Sequence, residues 1–72
     1  MAFAYEYQLM TKSSIIDYLT NKVKSDSVRR NMTLDDSVVD YVVRVLMEKI
    51  SLGYADSTVN KECSKLLTLI AK

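Results

Sequence analysis

A chain of 72 residues, 49% apolar and 26% charged, is at most one domain and too hydrophobic for a disordered tail. It can bury only about 60% of its unfolded surface, which leaves its stability marginal and makes a stabilising partner useful. One glycine and no proline leave few positions for the turns of hairpin-rich folds, so helices are favoured, and a net charge of +1 does not steer the whole molecule onto a polyanion.

Residues 1–12 form an N-terminal arm. Phe3, Tyr5, Tyr7 and Leu9 alternate with Ala4, Glu6 and Gln8, the period of a half-buried strand. Phe3, Tyr7 and Met10 also fall at helical spacing, so a helical turn is the alternative. An isolated strand lacks a partner, and no later segment alternates as cleanly, so a strand-like arm would pair across a homodimer. Aromatic anchors on such an arm are typical of interfaces, which makes Phe3, Tyr5, Tyr7 and Leu9 the candidate partner surface.

A first helix is expected over residues 13–25. Thr11 to Ser14 supply candidate N-caps, and Ile15, Ile16, Leu19 and Val23 line one face. The following stretch, SDSVRRNM, has no apolar period and reads as a loop. Charge is segmental there: Lys22, Lys24, Arg29 and Arg30 stand against Asp26 alone.

Residues 33–52 are expected to form the central helix. At the helical period Leu34, Val38, Val39, Tyr41, Val42, Val43, Val45, Leu46, Met47 and Ile50 spread over roughly two thirds of the circumference. Only Ser37, Asp40, Arg44, Glu48 and Ser51 keep a polar strip, on which Asp40 and Arg44 are spaced to pair. A helix of this breadth must be covered on more than one side, by the chain's own ends or by a partner. Thr33 suits an N-cap, Asp35 and Asp36 the first turn, and Gly53 the left-handed position that stops the helix. The valine run also admits a strand over 38–47. A third helix over 56–71, capped by Asp56 or Ser57, places Val59, Cys63, Leu66, Leu67 and Ile70 on one face. The expected fold is therefore mainly α: a small three-helix domain with an extended or strand-like arm.

The inventory excludes most chemistry. There is no histidine and one cysteine, so the usual zinc sites, histidine bases and intrachain disulfides are out. No glycine motif cradles a phosphate, and Asp35, Asp36 and Asp40 read as helix-terminal charge rather than a cation site. No enzyme, cofactor or metal is expected. With no signal-peptide pattern and no apolar run of about 20 residues, a cytoplasmic protein without a membrane partner is expected.

Two binding roles remain. The first is a regulatory or inhibitory protein-interaction module that self-associates or docks a larger protein. The second is a DNA-binding regulator. The stretch LMEKISLGYADSTVNKECSKLL, within residues 45–67, resembles a degenerate helix-turn-helix, with Leu52, Gly53, Tyr54 and Val59 in place and Lys49 and Glu62 against it. Its reader helix would present Ser57, Thr58, Asn60, Lys61, Ser64 and Lys65, with Lys24, Arg29 and Arg30 clamping the phosphate backbone.

Overall fold

The computed structural model describes residues 7 and 9–71. Three helices follow one another: α1, Lys12–Arg29; α2, Asp36–Ser51; and α3, Asp56–Ile70. No strand occurs among the described residues. Phe3 and Tyr5 of the expected arm lie outside them. Lys12 at the start of α1 shares a groove with Met47, Glu48 and Ser51 at the end of α2, so these two helices are antiparallel. Contacts from Tyr18 to Asp56 and from Arg30 to Thr68 show that α3 runs parallel to α1. The chain goes up, down and up.

The core follows from the apolar spacing of each helix. Ile15, Leu19 and Val23 of α1 recur every fourth residue, as do Val59, Cys63 and Leu67 of α3, and each set forms one narrow buried stripe. Helix α2 contributes a wider face of Val39, Val42, Val43, Leu46 and Ile50. It is the central element because it buries the broadest face.

Both inter-helix turns are set by residues that accept a left-handed backbone. Gly53 has φ 94° and Asn31 φ 56°. At the end of α2 the Gly53 amide donates to the Ile50 carbonyl and the Tyr54 amide to that of Lys49. After α1 the Asn31 amide donates to Val28 and the Met32 amide to Ser27. Each pair is a Schellman closure, which satisfies carbonyls that a helix end leaves free.

Helix starts differ from one another. Thr11 caps α1, its Oγ1 accepting from the Ser14 amide at 3.1 Å. Asp35 rather than Thr33 occupies the cap of α2, with no side-chain cap bond. Leu34 just before it packs on the core cluster that holds Val39, the arrangement of a hydrophobic staple. Ala55 sits at the cap of α3, and Asp56 is the first helical residue instead of the cap.

Three expectations are corrected. Helix α1 does not stop near Ser25 but runs through most of the supposed loop to Arg29, because Asp26 and Ser27 are buried there and find partners. Tyr7 is not an outward anchor: it is 1% exposed and belongs to the core cluster, while Leu9 is 99% exposed. Its carbonyl accepts from the Met10 amide, closing a turn that leads into α1. Helix α2 packs against both α1 and α3, and these leave Tyr41 59% exposed and Val38 and Val45 half-buried. Finally, Asp40 and Arg44 do not form an ion pair among the described residues.

The two turn positions make unequal demands. Gly53→Ala should lower the unfolding free energy by about 1–2 kcal/mol, the cost of a Cβ in left-handed backbone, whereas Asn31→Gly should leave it unchanged or raise it slightly. Urea unfolding of the two variants beside the parent checks this, and equal losses would refute it.

Candidate functional site

Helices α1 and α3 meet through polar rungs one helical turn apart. The Tyr18 hydroxyl donates to both Asp56 oxygens, at 2.9 and 3.1 Å. The next turn brings the Lys22 ammonium onto Asn60 Oδ1. One turn further the Cys63 thiol lies 4.0 Å from Asp26 Oδ2, and at the end Arg30 Nη1 donates to Thr68 Oγ1 at 3.1 Å. Parallel helices with matched rise repeat the same contact every turn, so one rung fixes the others.

Two carboxylates anchor this seam. Asp56, in the first turn of α3, also accepts from the Tyr7 hydroxyl at 2.5 Å and has Lys22 Nζ at 3.8 Å. The partial positive charge of the helix N-terminus adds to these donors. Lys22 in turn lies 4.7 Å from the centre of the Tyr18 ring, a cation–π contact. Asp26, only 8% exposed, receives Arg29 Nη2 at 2.9 Å and Arg30 Nε at 3.6 Å. No buried side-chain nitrogen or oxygen among the described residues lacks a partner, as burial of charge demands. Cys63 is buried, and desolvation first, then the Asp26 carboxylate, pushes its thiol pKa up. It is a protonated core residue and a poor nucleophile.

These contacts redistribute the expected DNA-contacting residues. Lys24, Arg29 and Arg30 are all exposed, and the two arginines also pair with the one Asp26 carboxylate. Asn60 is held by Lys22, and Ser64 accepts from Thr68 through its carbonyl. Thr58 and Ser64 are half-buried, so Ser57, Lys61 and Lys65 are left as the outward row of α3. Of the helix-turn-helix positions, Val59 is buried and Gly53 makes the turn, but Leu52 is 64% exposed where an apolar contact was wanted.

The remaining surface of α2 has two flanks. Toward α1, Ile16, Val43 and Met47 with Lys12, Asp40 and Arg44 line an open groove of about 370 Å³. On the other flank Val38, Tyr41, Val45 and Leu52 recur at helical spacing, with Tyr41 and Leu52 well exposed. That flank was legible in the sequence as excess apolar breadth. The polar seam was not, because its partners lie some 38 residues apart and nothing local marks them.

Among the described residues no group of three or more His, Cys, Asp or Glu side chains is placed to hold a metal ion, and no helix is long and apolar enough to cross a membrane. The fold and surface define a small up-down-up helical domain with a polar α1–α3 seam and an apolar outer flank. No family model, curated protein or solved structure matches the chain.

Asp56→Ala removes the acceptor shared by Tyr7 and Tyr18 and should cost about 1–3 kcal/mol, while Lys61→Ala on the outward row should stay within about 0.5 kcal/mol of the parent. Thermal unfolding monitored by circular dichroism distinguishes them. Equal stability of the two variants would show that the seam holds nothing together.

Proposed function

We propose that this protein is a small non-catalytic interaction module that self-associates through the outer flank of α2. The observation that carries this is the mismatch on α2. Its apolar residues span more of the circumference than α1 and α3 cover, and Tyr41, at the middle of the helix, is left mostly in water. A domain this small gains most from a partner that buries such a surface, since its own core is limited. The polar seam fits the same view, since Tyr18, Asp26 and Asp56 are engaged within the fold.

The N-terminal arm has a smaller share in this than its sequence suggests. Tyr7 is spent on the core and on Asp56, and of the described arm residues Leu9 alone stands out as an exposed apolar side chain. A DNA-binding role would draw on the exposed row of Ser57, Lys61 and Lys65. It is the weaker proposal, because the arginines intended as phosphate clamps already neutralise Asp26.

Light scattering across a dilution series should give a dimer mass at tens of micromolar that falls toward the monomer on dilution. A monomer mass throughout would contradict self-association. Duplex DNA added in low salt serves as the second arm. A complex that weakens steeply with salt and disappears in Lys61→Glu would favour DNA binding instead.

A further inference from the structure

Within α2 the buried residues Val39, Val43, Leu46 and Ile50 follow a four–three–four spacing, the pattern of a seam that packs against neighbouring helices. A second series on the same helix, Val38, Tyr41, Val45, Glu48 and Leu52, follows three–four–three–four spacing and stays exposed or half-buried. Four of its five members are apolar. It runs the length of α2 into its C-cap Leu52, which keeps helical backbone at φ −85° and ψ 0°. Two such series on one helix suit two packing partners, and among the described residues only the first series is fully covered.

We infer that the outer series is the contact face of an antiparallel two-fold dimer in which α2 packs along α2 of a second copy. This arrangement rests on the self-association proposed above and specifies its geometry. The two-fold axis lies level with Val43, midway along α2, the register in which both helices overlap over their whole length. Tyr41 then packs against Val45 of the second copy, twice by symmetry, at the centre of the interface. Glu48 comes beside Val38 of the second copy, in the first turn of its α2, where the helix N-terminus favours a carboxylate. Asp35 flanks Lys49 of the second copy, giving two symmetric opposite-charge pairs at the rim.

The occupant follows from these charges. In a parallel pairing Glu48 would face Glu48 and Tyr41 would face Tyr41 in the seam, which sets two carboxylates against each other inside the apolar series. The antiparallel pairing removes that repulsion and also opposes the helix dipoles. Its one like-charge contact is Arg44 near its own symmetry mate. On each copy that arginine has Asp40 one turn before it and Glu48 one turn after it on the polar strip. The same surface is thus complementary to itself under a two-fold rotation, which is what an isologous interface requires.

The test is directional cross-linking in the full chain. Val38→Cys and Glu48→Cys chains, distinguished by mass, are mixed in equal amounts and mildly oxidised, and the native thiol Cys63 is protected by burial. The expected product is the mixed disulfide between positions 38 and 48, at several times the yield of either like-with-like dimer. In parallel, Tyr41→Glu should weaken dimerisation roughly thirtyfold or more with unchanged helical signal. Like-with-like bridges, or no bridge while the parent is a dimer by mass, would overturn this geometry and leave self-association standing. A parent that is monomeric at every concentration would overturn both.

Discussion

The structure depends on one constraint: a single sixteen-residue helix carries apolar side chains around more of its circumference than its two neighbours can cover. Helix α2 lies antiparallel to α1 and joins α3 through a four-residue turn, and these contacts bury Val39, Val42, Val43, Leu46 and Ile50. Each neighbour contributes one narrow buried stripe, Ile15, Leu19 and Val23 from α1 and Val59, Cys63 and Leu67 from α3. What α1 and α3 cannot reach, Tyr41 above all, stays in water. Apolar area removed from water contributes about 25 cal/mol per Å², so covering this flank of the main core helix would add stability that the monomer lacks.

The contact between α1 and α3 works differently. It is held by polar rungs repeated every turn, anchored on Asp26 and Asp56, with a thiol and two tyrosine hydroxyls among its donors. Polar contacts of this kind add little net free energy each, yet they are costly to leave unmade once buried. A slip of α3 by one turn, about 5.4 Å, would part Asp56 from the tyrosine hydroxyls and Thr68 from Arg30. The seam therefore fixes register, while the apolar stripes facing α2 supply most of the cohesion. In the basic segment from Lys22 to Arg30, three of the four cations lie within ion-pair distance of Asp26 or Asp56.

Much of the architecture could be read from the chain before its structure. Three helices, the breadth of α2 and the stop at Gly53 all follow from apolar spacing and from the need for left-handed backbone. Asn31 does for α1 what Gly53 does for α2, but its role was hidden because the surrounding SDSVRRNM lacks an apolar period. That stretch is helical as far as Arg29 for a tertiary reason: Asp26 finds Arg30 nearby and the Cys63 thiol 37 residues away. Tyr7 was misplaced on similar grounds. Seen locally it is a terminal aromatic with nothing to pack on, but the fold brings Asp56 to its hydroxyl and the core to its ring.

The central claim, that α2 has an apolar flank its own chain leaves open and a second copy closes, is tested most directly by the ring protons of Tyr41. Their broadening by a soluble paramagnetic agent would be followed by NMR at low and high protein concentration, with buried Tyr7 and partly exposed Tyr54 as internal references. Tyr41 should be strongly broadened when dilute and protected when concentrated, while Tyr7 stays protected and Tyr54 unchanged. Broadening of Tyr41 that is the same at every concentration, or protection already complete in the dilute monomer, would contradict it.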